Sequence, residues 1–328
     1  MVESGWEAEV ILSREDPGIA GPYVLDGVKV FPYTDKRQII RATRNSQLLI
    51  SHLENYERVA VVGRNYRVPV VHVVHNDMDI TKAYMGHGCD LAVFNTDWVL
   101  KSFVERPVKG SQSFSKPSVV VHPRVDTLRY SSPSESLSEG SRTKWPYDVA
   151  LVNLWDGGGN EAKASDGKGA HTFYELARRF PNKKFLGVVG GYGEQRIEDH
   201  PNVTILPHTS SIMEDVYSKT RVLLMPSRYE SFGRVAIEGA ACGIPTIASP
   251  TPGLKEALGE QNFYADPDDY DEWEQIIRYL DEDDVYLGNS HTARQRALYW
   301  YKKQPQELEE FLVKANSIAQ TGLYLRGY

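Results

Sequence analysis

Two α/β domains, each built around a parallel sheet, are what this sequence predicts, and three observations lead there. Short β-rich runs alternate with helical stretches from end to end, the pattern of βαβ units. That alternation is interrupted by a polar, Ser-rich stretch without periodicity, residues 131–141, which reads as a linker or exposed loop. The 328 residues, 41% of them hydrophobic, are enough for two cores.

In the first half, Val10–Ser13, Val28–Phe31, Val59–Val62, Val70–Val74, Leu91–Asn95 and Val119–Val121 read as strands of a first sheet. In the second half, Val149–Asn153, Phe185–Val189, Val203–Leu206, Val222–Met225 and Ile244–Ala248 read as strands of a second. Near the end, Leu308, Phe311, Leu312, Ala315 and Ile318 recur at helical spacing, an amphipathic helix that closes the fold. The expected division is residues 1–140, 141–303 and a tail, 304–328, packing back toward the N-terminal domain.

Composition narrows the classes of function. No run of eighteen apolar residues occurs, and Glu3, Glu7 and Glu9 stand where a secretory leader would be basic and then apolar. A cytoplasmic protein without a transmembrane segment is expected, with peripheral contact to a membrane left open. Cys89 and Cys242 fit no metal-ligand spacing and read as buried free thiols. A net charge of −7 argues against bulk affinity for nucleic acid. Between Lys101 and Arg129, however, Lys101, Arg106, Lys109, Lys116, Arg124 and Arg129 outnumber Glu105 and Asp126. A solvated face explains that stretch better than an anionic acceptor or a membrane surface does, though it leaves both open.

The most informative segment runs from Met225 to Ser249, between two apolar strands, so its loop lies at the strand end where open parallel sheets bind ligands. Gly233 starts a helix, and Gly239, Ala240 and Ala241 give it a small-residue face for close packing on the sheet. The amides and dipole of such a helix start favour a phosphate. Glu230 and Glu238, which a phosphate would repel, read instead as acceptors for hydroxyls, since carboxylates bind vicinal diols through charge-assisted hydrogen bonds. A ligand with hydroxyls at both ends and phosphates between them is a nucleotide sugar. Two glutamates on a solvated helix face are the plain alternative.

The segment resembles the glutamate, seven residues, glutamate motif of the retaining GT-B glycosyltransferases of group 1, or family 4. Pro226-Ser227, Glu230, Phe232-Gly233, Glu238, Gly243, Pro245, Pro252-Gly253 and Glu256 carry the match. The resemblance implies two Rossmann-like domains facing across a cleft. It gives Glu238 the ribose hydroxyls, and gives Glu230 and the Phe232 and Gly233 amides the donor sugar and its phosphates, with Ser231 and Arg234 beside them. Asp166-Gly-Lys168-Gly169 is similar to the family's Lys-Gly element, whose lysine neutralises the diphosphate. Where the family often carries an arginine, this chain has the run from Asn153 to Asn160, with Lys163 as a substitute cation. Gly190-Gly191-Tyr192-Gly193 resembles the loop that passes the nucleotide, and His208 falls where the family recognises the base. Val70 to His75 resembles its strand ending in a histidine that points into the cleft.

His72 and His75, three apart on a strand, face opposite sides and do not share an ion. Asp77-Met-Asp79 and Asp266-Pro-Asp268 read as solvated loops. The resemblance also aligns residues 5–12 with the family's second strand, so the chain is expected to begin after one strand–helix unit of roughly thirty residues.

The reading is therefore a retaining glycosyltransferase that moves a sugar from a nucleotide diphosphate to an unknown acceptor, anionic if the basic stretch serves it. Its expected catalytic groups are Glu230, Lys168 and His75, and its expected donor-binding groups are Glu238, Ser231, Phe232, Gly233, Arg234, Asn153, Tyr192 and His208. No metal or cofactor is expected beyond the donor. Alternatives are a nucleotide-sugar-binding module without turnover, a GT-B phosphorylase or disaccharide synthase, and, with no dinucleotide fingerprint to support it, an oxidoreductase.

Overall fold

The computed structural model describes residues 5–12, 21–31, 36–52, 56–85, 88–107, 114–126, 130, 145–155, 167–191 and 194–326. The chain divides into two compact units: Met1–Val121 with Gln306–Tyr328, and His122–Pro305. The division thus comes at Val121, before the Ser-rich stretch, because Val125 and Tyr130 already pack into the core of the second unit.

The first unit carries β1 (Glu9–Ile11), β2 (Tyr23–Leu25), β3 (Val28–Phe31), α1 (Lys36–Asn45), β4 (Leu49–His52), α2 (Tyr56–Tyr66), β5 (Val70–Val74), α3 (Asp79–Met85), β6 (Leu91–Phe94), α4 (Asp97–Glu105) and β7 (Ser118–Val120). Instead of the one sheet expected, the described strands form two. β4-β5-β6-β7 is fully parallel, whereas β1-β3-β2 is a small mixed sheet in which β2 runs antiparallel to β3. Val59–Val62, expected as a strand, lies inside α2. Its β-branched residues suggested a strand, but the residues that become buried, Tyr56, Ala60 and Gly63, recur at helical spacing, and the burial period decides.

The parallel sheet is covered on both faces, as its continuous apolar strands require. Phe94, Val74 and Ala92 pack with Val99 and Phe103 of α4. On the other face, Val71, Leu91, Val93 and Val119 pack against Phe311 and Ala315. Alternation along β5 therefore separates Val71 from His72, whose buried ring meets the Tyr56 ring edge-on at 4.7 Å.

The second unit carries β8 (Tyr147–Val152), α5 (Ala170–Arg179), β9 (Phe185–Val188), β10 (Val203–Leu206), α6 (Ile212–Asp215), β11 (Thr220–Met225), α7 (Arg234–Ala241), β12 (Thr246–Ala248), α8 (Pro252–Leu258), β13 (Phe263–Tyr264) and α9 (Tyr270–Tyr279). One further helix, α10 (Asp283–Arg326), starts in this unit and contributes its last part to the first; it is longer at both ends than the tail helix expected. The sheet of the second unit is parallel throughout, in the order β10-β9-β8-β11-β12-β13. The chain winds outward from β8 in one direction, then returns to the other side of β8 as β11 and winds the opposite way. The helices that follow β8 and β11 therefore lie on opposite sides of a topological switch point, the crevice where such sheets bind ligands. Beneath it, Phe173, Tyr174, Leu176 and Ala177 of α5 are fully buried, and each large side chain contributes about 1.5–3 kcal/mol.

Both cysteines are free and buried, as the sequence suggested, and burial pushes each thiol up to about 12.

Burial lowers the pKa of His72 from the usual 6.5 to about 4, with the Gly88 backbone opposing the shift. Below pH 6.5 the unfolded chain takes up a proton that the folded chain refuses, so stability falls as pH drops from 6.5 toward 4. Urea unfolding at pH 7 and pH 5 should show wild type losing about 2 kcal/mol more than His72→Leu across that interval.

Candidate functional site

The loops after β8 and β11 are locked together by backbone contacts before any side chain is considered. Lys168 N–H donates to Trp155 O at 2.7 Å, and Arg228 N–H donates to Gly167 O at 3.2 Å. Gly169, the N-cap of α5, has φ +81°, and a Cβ there would fall 2.5 Å from both Cγ and O of Pro226. Only glycine satisfies both the left-handed backbone and that approach. The Lys-Gly and Pro-Ser elements, 57 residues apart from Gly169 to Pro226, are thus two sides of one contact.

This contact aims the side chains. Lys168 Nζ lies 2.6 Å from Glu230 Oε2, with 18% and 15% of the two side chains exposed. At the far end of the β11 loop, Gly253 allows the start of α8 to lie against it, since a Cβ there would fall 2.1 Å from Glu230 O. Arg228 forms a two-pronged pair with Asp268 that lowers the pKa of that carboxyl. The Asp266–Asp268 segment is therefore not merely solvated. Nor is Asp77, which accepts a hydrogen bond from Ser102 Oγ at 2.7 Å. Asp77 also lies 3.8 Å from Arg106.

Gly233 is the N-cap of α7 and makes no side-chain cap bond. The first amides of a helix have no partner within it, so this start favours an anion. Arg234 at the first helical position is exposed, with Nη2 3.4 Å from Glu238 Oε1. Glu238 is buried and accepts from Tyr217 Oη at 2.9 Å. The Phe232 ring is buried against Trp300, 5.2 Å away, and His122, 5.6 Å away. Its side chain is therefore core, which leaves the backbone of Phe232 as the part able to serve a ligand. Ser231 is half-buried.

Asn153, at the end of β8, adopts φ +76° and accepts from Trp155 N at 3.2 Å. Its amide lies against the Gly190 backbone, where a Cβ would fall 2.2 Å from Oδ1. His208 lies against Gly191, 3.3 Å from where its Cβ would be. Tyr192, Gly193, Lys163, Asp166, residues 156–160, Lys109, Arg129 and the Ser-rich stretch lie outside the described residues. Lys168, Glu230, Gly233 and Asn153 thus lie beside strand ends or helix starts of one unit, and Glu238 lies one turn into α7 of the same unit. His75 belongs to the other unit, where it is half-buried at the end of β5. Its Nε2 lies 2.6 Å from Nε2 of His52. Burial, and secondarily the charge of His52, lower its pKa to about 4. The basic stretch is divided as well, Lys101 to Lys116 in the first unit and Arg124 in the second.

Two features escaped the sequence reading. Tyr217, on the short turn before β11, has no signal in the sequence of its contact with Glu238, 21 positions away. His122, fully buried, lies 2.6 Å from Glu256 Oε1 and stacks at 4.3 Å on Trp300. Glu256 marked itself within the motif; its partner did not.

Residues 165–283 match the family model "Glycosyl transferases group 1". D-inositol 3-phosphate glycosyltransferase of Streptomyces bingchenggensis is 27% identical over 233 residues, 60% of this chain and 50% of the relative. The enzyme of the same name from Mycobacteroides abscessus is 43% identical over 156 residues, 43% of this chain and 33% of the relative. The chain spans about half the length of the first curated relatives it matches. Sucrose-phosphate synthase from Thermosynechococcus elongatus superposes with a TM-score of 0.71 at 16% identity, over 97% of this chain and 91% of that one. Anabaena HepE, solved with UDP and glucose, does so with a TM-score of 0.65 at 17% identity, over 87% and 85%. Among the described residues no helix is long and apolar enough to cross a membrane.

Gly169→Ala should cost more than about 2 kcal/mol in urea unfolding, because the methyl group meets Pro226 in a backbone conformation alanine disfavours.

With the doubly wound sheet, the interlocked Lys-Gly and Pro-Ser elements and these matches in hand, the chain is a GT-B-fold protein whose residues 165–283 match the group 1 glycosyltransferase family model.

Proposed function

We propose that this protein is a retaining glycosyltransferase that takes a sugar from a nucleotide diphosphate. The observation that carries this reading is the Lys168–Glu230 pair at the crevice of the sheet, 2.6 Å apart beside the start of α7. A nucleotide sugar offers each member a new partner: the diphosphate replaces Glu230 at Lys168, and a sugar hydroxyl replaces Lys168 at Glu230. Glu238, eight residues on, takes the ribose hydroxyls, and the backbone of Phe232 and Gly233 lies between the two ends. Donor binding is further supported by HepE, a fold neighbour solved with UDP-glucose.

In the reaction the bond from the anomeric carbon to the diphosphate oxygen breaks, and Lys168 and the α7 start stabilise the charge that develops on the leaving group. The acceptor hydroxyl attacks the same face, and the departing phosphate takes its proton. Glu230 orients the sugar, and His75 serves the acceptor side. No protein nucleophile and no metal enters this scheme. Acceptor trials begin with inositol phosphate, for which the relatives are named. A nucleotide-sugar-binding module without turnover is the second reading, since Lys168 and Glu230 would hold a donor whether or not its sugar is transferred.

A thermal-shift panel of UDP-, GDP-, ADP- and dTDP-sugars, followed by assay of nucleoside diphosphate release, separates the two. Transferase predicts stabilisation with release, unchanged by EDTA, and the same anomeric configuration in donor and product by NMR. Stabilisation without release, with acceptor present, favours the binding module, and no shift with any donor overturns both. Glu238→Ala should weaken donor binding about tenfold or more, the worth of a charge-assisted hydrogen bond. Lys168→Ala should lower kcat by about 10²–10³-fold. Glu230→Ala should lower kcat more than it raises KM.

A further inference from the structure

Glu238 has one oxygen fixed from outside its own helix. Tyr217 Oη donates to Oε2 at 2.9 Å, and both residues are buried. Tyr217 reaches it from the turn Tyr217–Lys219 that feeds β11, and the Tyr130 ring stands edge-on to Tyr217 at 5.9 Å. We propose that Tyr217 is a positioning residue for nucleotide recognition: its hydroxyl sets the rotation of the Glu238 carboxylate and so makes the site selective for a ribose over a deoxyribose. The inference rests on the donor reading above.

The terminal torsion of a glutamate is broad and roughly two-fold, so a carboxylate without a fixed partner presents its oxygens over a wide arc. A diol is held well only by an acceptor already in place, because ordering it on binding subtracts from affinity. Arg234, which also approaches the carboxylate, is a poor clamp, being 61% exposed and 3.4 Å away. Tyr217 is a rigid one, its ring enclosed in the core that includes Val216, Leu223, Ala240 and Cys242. Burial first, and the Glu238 charge second, raise the phenol well above its usual pKa. It therefore keeps its proton and acts as a donor to the carboxylate. A tyrosine needed only for packing would be equivalent to phenylalanine.

The test is calorimetric binding of UDP, GDP and ADP, and of their 2′-deoxy counterparts, to the full chain. Wild type is compared with Tyr217→Phe, Glu238→Ala and the double variant, and thermal melts confirm that each is folded. Tyr217→Leu, which removes the hydroxyl with different packing, serves as a second variant. For whichever ribonucleotide wild type binds, Tyr217→Phe should weaken affinity about tenfold, in line with loss of a hydrogen bond to a charged group. It should also bring the ratio of ribose to deoxyribose affinity close to one, and add nothing in the Glu238→Ala background. If Glu238→Ala weakens binding and Tyr217→Phe leaves affinity and ribose preference unchanged, the positioning role is wrong and the donor reading stands. An equal loss from Tyr217→Phe with and without Glu238 means packing alone and also overturns it. If Glu238→Ala has no effect, or none of the three ribonucleotides binds wild type, the donor reading fails and takes the inference with it.

Discussion

Two loops that leave adjacent parallel strands, β8 and β11, have to run side by side before their helices diverge, and everything in the candidate site depends on how closely they do so. The approach of Gly169 to Pro226 brings them together at the backbone, and the amide bonds from Lys168 and Arg228 hold them. Two opposite charges are then confined where water is scarce. A lone lysine or a lone carboxylate in that position would bear a desolvation cost of several kcal/mol, so each requires the other, or a ligand that replaces it. The pairing of Lys168 with Glu230 follows from the fold, and in the proposed reaction it is what the donor exchanges for its own charges.

The supports of this contact lie one layer out, and most are unrelated to it in sequence. Gly253 lets α8 press on the backbone at Glu230, while His122, Trp300 and Phe232 form an aromatic wall behind the same turn. Trp300 comes from α10, and its ring nitrogen donates to Ala257 O at 2.7 Å, which ties the long helix to α8. The turn that carries Glu230 is thereby packed from the sheet, from α8 and from α10, the arrangement that keeps a functional side chain in one geometry.

The first unit, taken by itself, follows the same architectural rule with different chemistry. Its parallel sheet ends at His75, and the paired imidazoles of His75 and His52 stand where the second unit places a lysine and a glutamate at strand ends. Burial depresses the pKa of both histidines, so the pair is neutral near pH 7 and acts through a hydrogen bond in place of a charge.

Much of this was legible in the residues. Valine-rich runs located most of the parallel strands, because a strand buried on both faces must be continuously apolar, and the Gly, Pro and Glu positions of residues 225–249 marked the loop of the candidate site. The same local reasoning failed at Val59–Val62, where β-branched residues sit in a helix whose buried stripe runs through Tyr56, Ala60 and Gly63. It took the first unit for one sheet because alternation along the chain does not say which strands pair. Sequence by itself determined the α/β class, most of the parallel strands and the buried thiols, which follow from short-range periodicity and composition; it marked Glu230 and Glu238 by their place after a strand end, and Lys168 by resemblance to the Lys-Gly element of a known family. Only the tertiary structure decided that Lys168 meets Glu230, that Tyr217 fixes Glu238, that the Phe232 ring is core and that His122 joins Glu256. Each of those contacts joins residues brought together by strand order and helix packing, which no local pattern records.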